Sequence, residues 1–386
     1  MKIAIVTETY PPEINGVALT VESLVNNLLK LGHQVLLIRP SQSEPGPTHR
    51  HLHDQQVRSI PLPRYRGLRF GLATPRKIRK LLDQFGPDAA YIATEGPLGW
   101  ASLRVARNQK IPVLTGFHTH FDQYLSHYGL GVIQRSVGNY MRRFHNNAHG
   151  TLVPTQGLKE LLEQQGYRNV LLLERAVDTI RFNPIHRDDT LRRSWRVTDR
   201  EPVAIHVGRI AAEKNIDLAI AAYRAIQTQH PKARMIVVGD GPARAQIQLE
   251  NPDIIFTGAL TGEALSAHYA SADLFIFPSM TDTFGNVVLE ALASGVPVAA
   301  YDYAAAADFI RPGVNGFLAP LGNDQRLIAN TRVLANICCE LPVLRQGAQD
   351  AVANHQPIRV AERLVELLRR RRFNPSAADK QLEAPA

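Results

Sequence analysis

DLFIFPSMTDTFGNVVLEALASGVPVAA, residues 273–300, changes its hydrophobic period twice. DLFIFPS is a short apolar run bounded by an acid and a proline, the pattern of a strand buried on both faces. Phe284-Gly285-Asn286 forms a glycine turn, and Val287 to Ala293 then reads as an apolar helix. VPVAA returns to strand. Such a strand–turn–helix–strand run is the crossover unit of a parallel sheet. The turn also carries chemistry, because Asp282 lies in the loop and Glu290 in the helix, eight residues on. A helix start presents unpaired N–H groups and a partial positive charge to a phosphate. The two carboxylates can accept hydrogen bonds from sugar hydroxyls. An ordinary turn with Asp282 as the helix cap is the alternative at this point.

Outward from this segment the same alternation fills the chain. KIAIVTE, QVLLIRP, DAAYIAT, IPVLTGFH, GTLVPT and NVLLLE read as strands of a first half. Helices are expected at 17–31, 74–85, 97–109, 130–147 and 156–165. The polar segment AVDTIRFNPIHR reads as a linker. PVAIHVG, ARMIVVG, DIIFTG, DLFIFPS, VPVAA and GFLAP are strands of a second half, with helices at 215–229, 242–249, 262–271, 286–294, 322–338 and 357–372. The fold class is α/β, with two doubly wound Rossmann-like domains. The expected boundaries are 1–180, 181–356, a final helix at 357–373 and a disordered tail at 374–386.

The chain has 386 residues, which favours two domains over one core. Its two cysteines, Cys338 and Cys339, are adjacent, so no disulfide framework exists and a reducing cytosol fits. MKIAIVTETY lacks the pattern of a signal peptide, and no stretch is long and apolar enough to span a membrane. Residues 1–180 hold 21 Lys and Arg against 13 Asp and Glu, a net of +8, whereas residues 181–386 hold 23 against 22. Residues 55–82 form a basic loop with Arg58, Arg64, Arg66, Arg69, Arg76, Lys77, Arg79 and Lys80 and no acid, with Tyr65, Leu68 and Phe70 interleaved. This stripe suits anionic lipid head groups. Nucleic acid would also be attracted, but no recognition motif accompanies the charge.

Four further loops follow expected strands. Asn15-Gly16 precedes a helix, where a glycine lets a phosphate approach the backbone. In HVGRIAAEKN, Gly208 is followed by Arg209, a forked phosphate ligand, and Lys214, a movable point charge. Glu213 is a competing partner for either cation. Gly239, Asp240, Gly241 and Gly258 suit a close approach to a nucleotide base, or simply make turns. TGFHTHF supplies His118 and His120, either of which can donate to a sugar hydroxyl. His49, His51 and His53 alternate as zinc ligands do on a strand, but sit in an expected loop with no cysteine near. Asp-x-Asp, Gly-x-Ser-x-Gly and Walker patterns are absent.

Together ING, GFHTHF, HVGRIAAEKN, VVGDGPA, FTG and TDTFGNVVLEALASGVPV, in that order, resemble the family 4 retaining glycosyltransferases over roughly residues 2–320. Within the family the chain is most similar to bacterial GDP-mannose-dependent α-mannosyltransferases and UDP-sugar enzymes that build diacylglycerol glycolipids. The resemblance implies the GT-B fold, two Rossmann-like domains facing across a cleft, the last helix crossing back to the first domain. It implies hexosyl transfer from a nucleotide diphosphate sugar to a lipid acceptor, without metal or other cofactor. A soluble sugar acceptor, or an epimerase of similar architecture, is the alternative. Arg209 and Lys214 would hold the diphosphate, Asp282 the sugar hydroxyls and Glu290 the ribose. Gly16, Gly208, Gly239, Gly258, Phe284, Gly285 and Asn286 would line the donor, and His118 would meet the transferring sugar. Asp282 stands where the family usually has Glu, and YDYAAAADF replaces the usual glycine pair and Glu. The expected location is cytoplasmic, peripheral on the inner face of the membrane.

Overall fold

The computed structural model describes residues 1–13, 15–42, 46–61, 69–118, 131–282, 284–338 and 342–373. The expected tail at 374–386, His120, Cys339 and the stripe residues Arg64, Tyr65, Arg66 and Leu68 lie outside them. The chain divides into two compact units, Met1–Arg175 together with the chain from Pro357 onward, and Ala176–Gln356.

The first unit is built on an eight-stranded sheet. Its strands are β1 (Lys2–Val6), β2 (Gln34–Pro40), β3 (Leu52–Pro61), β4 (Arg69–Leu72), β5 (Ala89–Ile92), β6 (Val113–Gly116), β7 (Gly150–Val153) and β8 (Val170–Leu172). Their order is β4-β3-β2-β1-β5-β6-β7-β8. All neighbours are parallel except β3 and β4. A strand covered on both faces must be apolar at successive positions, and β1 is. Ile3 and Ile5 join one core with the helix Gly16–Lys30, while Ala4 and Val6 join another with helices Pro75–Phe85 and Pro97–Asn108. The last helix, Pro357–Phe373, carries Ala361, Leu364, Val365 and Leu368 on one stripe and buries them in the first of these cores, against Gly16–Lys30.

The second unit has six parallel strands: β9 (Val203–Val207), β10 (Arg234–Val238), β11 (Ile255–Gly258), β12 (Leu274–Phe277), β13 (Val298–Tyr301) and β14 (Gly316–Ala319). Their order is β11-β10-β9-β12-β13-β14, so the winding reverses between β9 and β12. Ile205 and Val207 face the core shared with helix Asn286–Ala293, and Ala204 the core shared with helices Ile216–Gln227 and Asp324–Ile337.

Several expectations need correction. The basic stretch before the helix is strand where it is described: β3 and β4 pair antiparallel, with Arg58 opposite Leu72 and Ile60 opposite Phe70. The buried Glu8 anchors it, accepting from the backbone N–H of Gly71 on β4 and of Leu98 at the start of Pro97–Asn108. His53 therefore lies in β3, its ring 5.3 Å from that of Phe85, and not in a loop. Among the described residues no group of three or more His, Cys, Asp and Glu is gathered to hold a metal. Helices at Asp189–Ser194, Ala304–Phe309 and Pro342–Val352 were not expected. Two of them are only six residues long, too short to be stable without tertiary contacts. Arg192 of the first reaches Asp273, which also binds Arg345 at 2.6 Å and the backbone N–H of Val203 at 2.9 Å.

Asp273 and Arg192 are both almost fully buried, 2.9 Å apart. Removing one partner of such a pair strands the other charge and costs about 3–5 kcal/mol. Asp273→Ala is accordingly expected to lower the unfolding free energy by that order in a denaturant titration. A loss within 1 kcal/mol, roughly the value of a surface pair, would show that the cluster is solvated.

Candidate active site

The sheet of the second unit reverses direction between β9 and β12, and ligands of doubly wound sheets bind outside the carboxyl ends of strands at such a point. From β9 the chain runs through Gly208 and Arg209 to a single 3-10 turn, Ala212–Lys214, and leaves it through Asn215 in the left-handed region, φ 53°. From β12 it runs through Ser279 to Asp282. Thr281 Oγ1 donates to the Glu213 carbonyl at 3.2 Å and ties the two loops together. Lys214 Nζ then reaches Asp282 Oδ1 at 2.6 Å, each side chain about one-fifth exposed. The pair lies between an exposed one, worth about 0–1 kcal/mol, and a buried one, and its exposed side leaves the ammonium open to competition from an incoming anion. Arg209 is half exposed and pairs with Glu213 at 3.3 Å, the competing contact noted in the sequence.

Three buried polar atoms at these strand ends have no hydrogen-bond partner among the described residues: His206 Nε2, Ser279 Oγ and Asp282 Oδ2. His206 Nδ1 lies 3.0 Å from the Ile276 carbonyl, which can only accept, so Nδ1 carries the proton. Burial, with Lys214 adding to it, pushes the ring down to about 4, and the imidazole is neutral with a bare Nε2.

Among the described residues no side chain caps the start of helix Asn286–Ala293. Its preceding residue, Gly285, has φ 92°, and a Cβ there would sit 3.1 Å from the Phe277 ring. The left-handed φ calls for glycine, a side chain would also crowd Phe277, and the helix start stays open to an anion. The start at Gly16 is different. Asn15 Oδ1 already accepts from Val17 N at 3.1 Å and Ala18 N at 2.9 Å, so the chain's own cap occupies those two N–H groups of the first turn.

Glu290 points inward from the open helix and accepts from the Tyr269 hydroxyl at 3.1 Å. Burial raises its carboxyl to about 7, opposed by that hydrogen bond and by Arg181. The glycines divide by cause. A Cβ at Gly239 would overlap the Gly208 carbonyl oxygen, and one at Gly241 the Ile210 carbonyl oxygen. Packing between neighbouring loops therefore accounts for both, without a nucleotide base. Gly258 lies at φ 81° and takes the Gly239 N–H on its carbonyl at 2.8 Å. Phe284 is core: its ring is buried against Phe309 and its carbonyl accepts from Ala305 N. Its side chain is therefore not a donor-lining group.

In the first unit, His118 Nδ1 accepts from Arg175 Nη2 and Nε2 donates to the Tyr91 hydroxyl at 2.8 Å. Burial, with Arg175 beside it, holds the ring well below its usual value. It is neutral, and both nitrogens are engaged, so donation to a sugar requires exchange of the Tyr91 contact. Sequence reasoning missed Arg175, Tyr91, Tyr269, Ser279 and His206. Of these only His206 had a visible signal, a polar residue inside an otherwise apolar strand.

Comparison with known proteins gives the family. The family model described as Glycosyltransferase Family 4 matches residues 14–181, and that described as Glycosyl transferases group 1 matches residues 187–335. A GDP-mannose-dependent alpha-mannosyltransferase of Mycolicibacterium smegmatis is 36% identical over 323 residues, 82% of this chain and 84% of that one. An alpha-monoglucosyldiacylglycerol synthase of Streptococcus pneumoniae is 30% identical over 319 residues, 78% and 71%. The solved structure of Anabaena HepE in complex with UDP superposes with a TM-score of 0.74 at 18% identity, covering 96% of this chain and 100% of that one. The chain belongs to the family 4 glycosyltransferases and has the GT-B fold. It is an enzyme, a hexosyltransferase.

Between the ordinary carboxylate value and about 7, folded Glu290 holds a proton that the unfolded chain has released. The unfolded state binds fewer protons there, so stability falls as pH rises through that window. Glu290→Gln keeps an oxygen for Tyr269 and removes the titration. The variant is expected to match the parent near pH 5 and to exceed it above pH 7 by about 1–3 kcal/mol. Denaturant unfolding at the two pH values checks this, and an equal difference at both would contradict it.

Proposed function

We propose that the enzyme moves a hexosyl group from a nucleotide diphosphate sugar, GDP-mannose or a UDP-hexose, to a diacylglycerol-type membrane lipid. Transfer is with retention, without a metal, at the inner face of the cytoplasmic membrane. The observation that carries the donor half is the exchangeable Lys214–Asp282 pair in the unit whose helix Asn286–Ala293 starts open. An arriving diphosphate draws the Lys214 ammonium to its oxygens, with Arg209 able to turn a guanidinium edge the same way. Asp282 is then released from the ammonium, and both its oxygens can accept from sugar hydroxyls. Glu290 accepts from the ribose. As the bond from the anomeric carbon to phosphate breaks, charge builds on the diphosphate where Lys214 and the open N–H groups stabilise it. The acceptor oxygen bonds to the same face of that carbon and its proton passes to the departing phosphate oxygen, which balances the exchange without a protein nucleophile.

The relatives' printed names support the two halves separately, one naming GDP-mannose and the other a diacylglycerol product. Charge supports the membrane half. The first unit holds 28 Lys and Arg against 16 Asp and Glu, net +12, and the second 16 against 19, net −3. Arg76, Lys77, Arg79 and Lys80 are all exposed on helix Pro75–Phe85 around a shallow depression of about 580 Å³. Each basic residue near an anionic surface contributes roughly 1 kcal/mol. Among the described residues no single helix is long and apolar enough to cross a membrane.

Lys214→Ala is expected to depress transfer on the order of 10²–10³-fold, the usual loss of one charge-stabilising contact. In the same radiolabelled assay, run over a panel of UDP- and GDP-sugars with diacylglycerol, exhaustive chelation should leave the parent rate unchanged. Near-normal turnover of the variant removes Lys214 from the mechanism, and loss of activity restored by magnesium or manganese replaces the leaving-group assignment. Vesicle sedimentation tests the surface. Binding to anionic liposomes should weaken as salt shortens the Debye length from about 10 Å at 0.1 M to about 3 Å at 1 M. Neutralising Arg76, Lys77, Arg79 and Lys80 together should weaken it further. Equal affinity for neutral and anionic vesicles, or none for either, points to a soluble acceptor.

A further inference from the structure

Gly208 differs from the other strand-end glycines of the second unit. Its φ lies outside the left-handed region, and among the described residues a Cβ built on it would have one neighbouring heavy atom within 4 Å, His206 Nε2 at 3.8 Å. Gly239 and Gly241 must be glycine because a side chain there would collide with backbone, whereas the fold itself leaves room for alanine at 208. His206 Nε2 thus borders the space over Gly208. That atom is buried with its residue, which is 1% exposed, and has no partner among the described residues. The Nδ1 proton, fixed on the Ile276 carbonyl, makes Nε2 an acceptor only. Phosphate oxygens, also acceptors, are unsuited to it. A hydroxyl is suited to it, and Ser279 Oγ and Asp282 Oδ2 stand unpartnered at the same strand ends.

We infer that His206 Nε2 accepts a hydrogen bond from a hydroxyl of the donor's sugar lying over Gly208, so that His206 sets specificity for the sugar rather than for the nucleotide. This rests on the nucleotide-sugar reading above. Leaving a buried acceptor unpaired is costly, so a nucleotide whose sugar lacks a hydroxyl at that point is disfavoured by the site itself.

The test measures binding to the full chain by calorimetry, with GDP and UDP alone and with a panel of GDP- and UDP-hexoses. His206→Asn can still donate to the Ile276 carbonyl but presents no acceptor to the space. It should bind nucleoside diphosphate within about twofold of the parent and the preferred nucleotide sugar about 5–30-fold more weakly, the value of one hydrogen bond. His206→Gln, whose carboxamide oxygen can take the place of Nε2, should recover part of the loss. Gly208→Ala should melt near the parent temperature and show the same selective loss, because its methyl occupies the space. Parental affinity of His206→Asn for the nucleotide sugar overturns the inference. Equal weakening of diphosphate and nucleotide sugar also overturns it, since a structural role predicts that. Should His206→Asn fail to fold, Gly208→Ala decides by the same criteria. A parent that binds no nucleotide sugar overturns the donor reading and this inference with it, whereas a parent that binds beside unaffected variants overturns this inference alone.

Discussion

A parallel strand covered by helices on both faces has no solvent side, so polar side chains on it must either be paired internally or be pushed to its ends. In the second unit the two ends of β12 meet this constraint in opposite ways. At the amino end Asp273 is saturated by Arg192, Arg345 and the Val203 N–H. At the carboxyl end, and at that of the adjacent β9, Ser279 Oγ, Asp282 Oδ2 and His206 Nε2 have no hydrogen-bond partner among the described residues. The amino end is held by ion pairs to Asp273, although Arg187 Nη1 and Arg192 Nε make no hydrogen bond among the described residues, and the carboxyl end leaves acceptors and a hydroxyl open to a ligand. This asymmetry gives the switch point its chemical content.

Charge and helix ends follow the same division. The cluster around Asp273 is dry and expensive to break, while the Lys214–Asp282 pair is partly exposed and open to exchange with an anion. A site that must admit and release a diphosphate needs the second kind. Helix Gly16–Lys30 is closed by Asn15, and helix Asn286–Ala293 is left open because Gly285 has no side chain with which to close it. Two glycine turns that look alike in one dimension therefore differ in whether the helix start remains available. In the first unit His118 lies between Arg175 and Tyr91, neutral and oriented, which makes it a positioned group with little freedom to turn.

Much of this was legible in the chain itself. Apolar runs such as KIAIV, VAIHV and LFIF, each followed by a turn and a helical stretch, specify parallel sheets through burial periodicity, which is a local property. The same locality made Asp282, Glu290, Arg209 and Lys214 visible, because each lies within a few residues of a strand end. The β3–β4 hairpin was not visible, since its arginines and prolines suggest a loop and its anchor is Glu8, distant in sequence. The short helices Asp189–Ser194 and Ala304–Phe309 were missed for a related reason, their few residues being held by packing more than by propensity.

The sequence by itself determined the fold class, the strand-end loops and the residue types gathered there, because hydrophobic period and turn chemistry act over a few residues. Tertiary structure alone decided which of those groups are already engaged. Lys214 meets Asp282 across 68 residues and Tyr269 meets Glu290 across 21. The Ile276 carbonyl, 70 residues away, fixes the tautomer of His206, and burial keeps its ring neutral. Pairing, tautomer and desolvation depend on atoms brought together by neighbouring strands, and the order of those strands is not written in the spacing along any one of them.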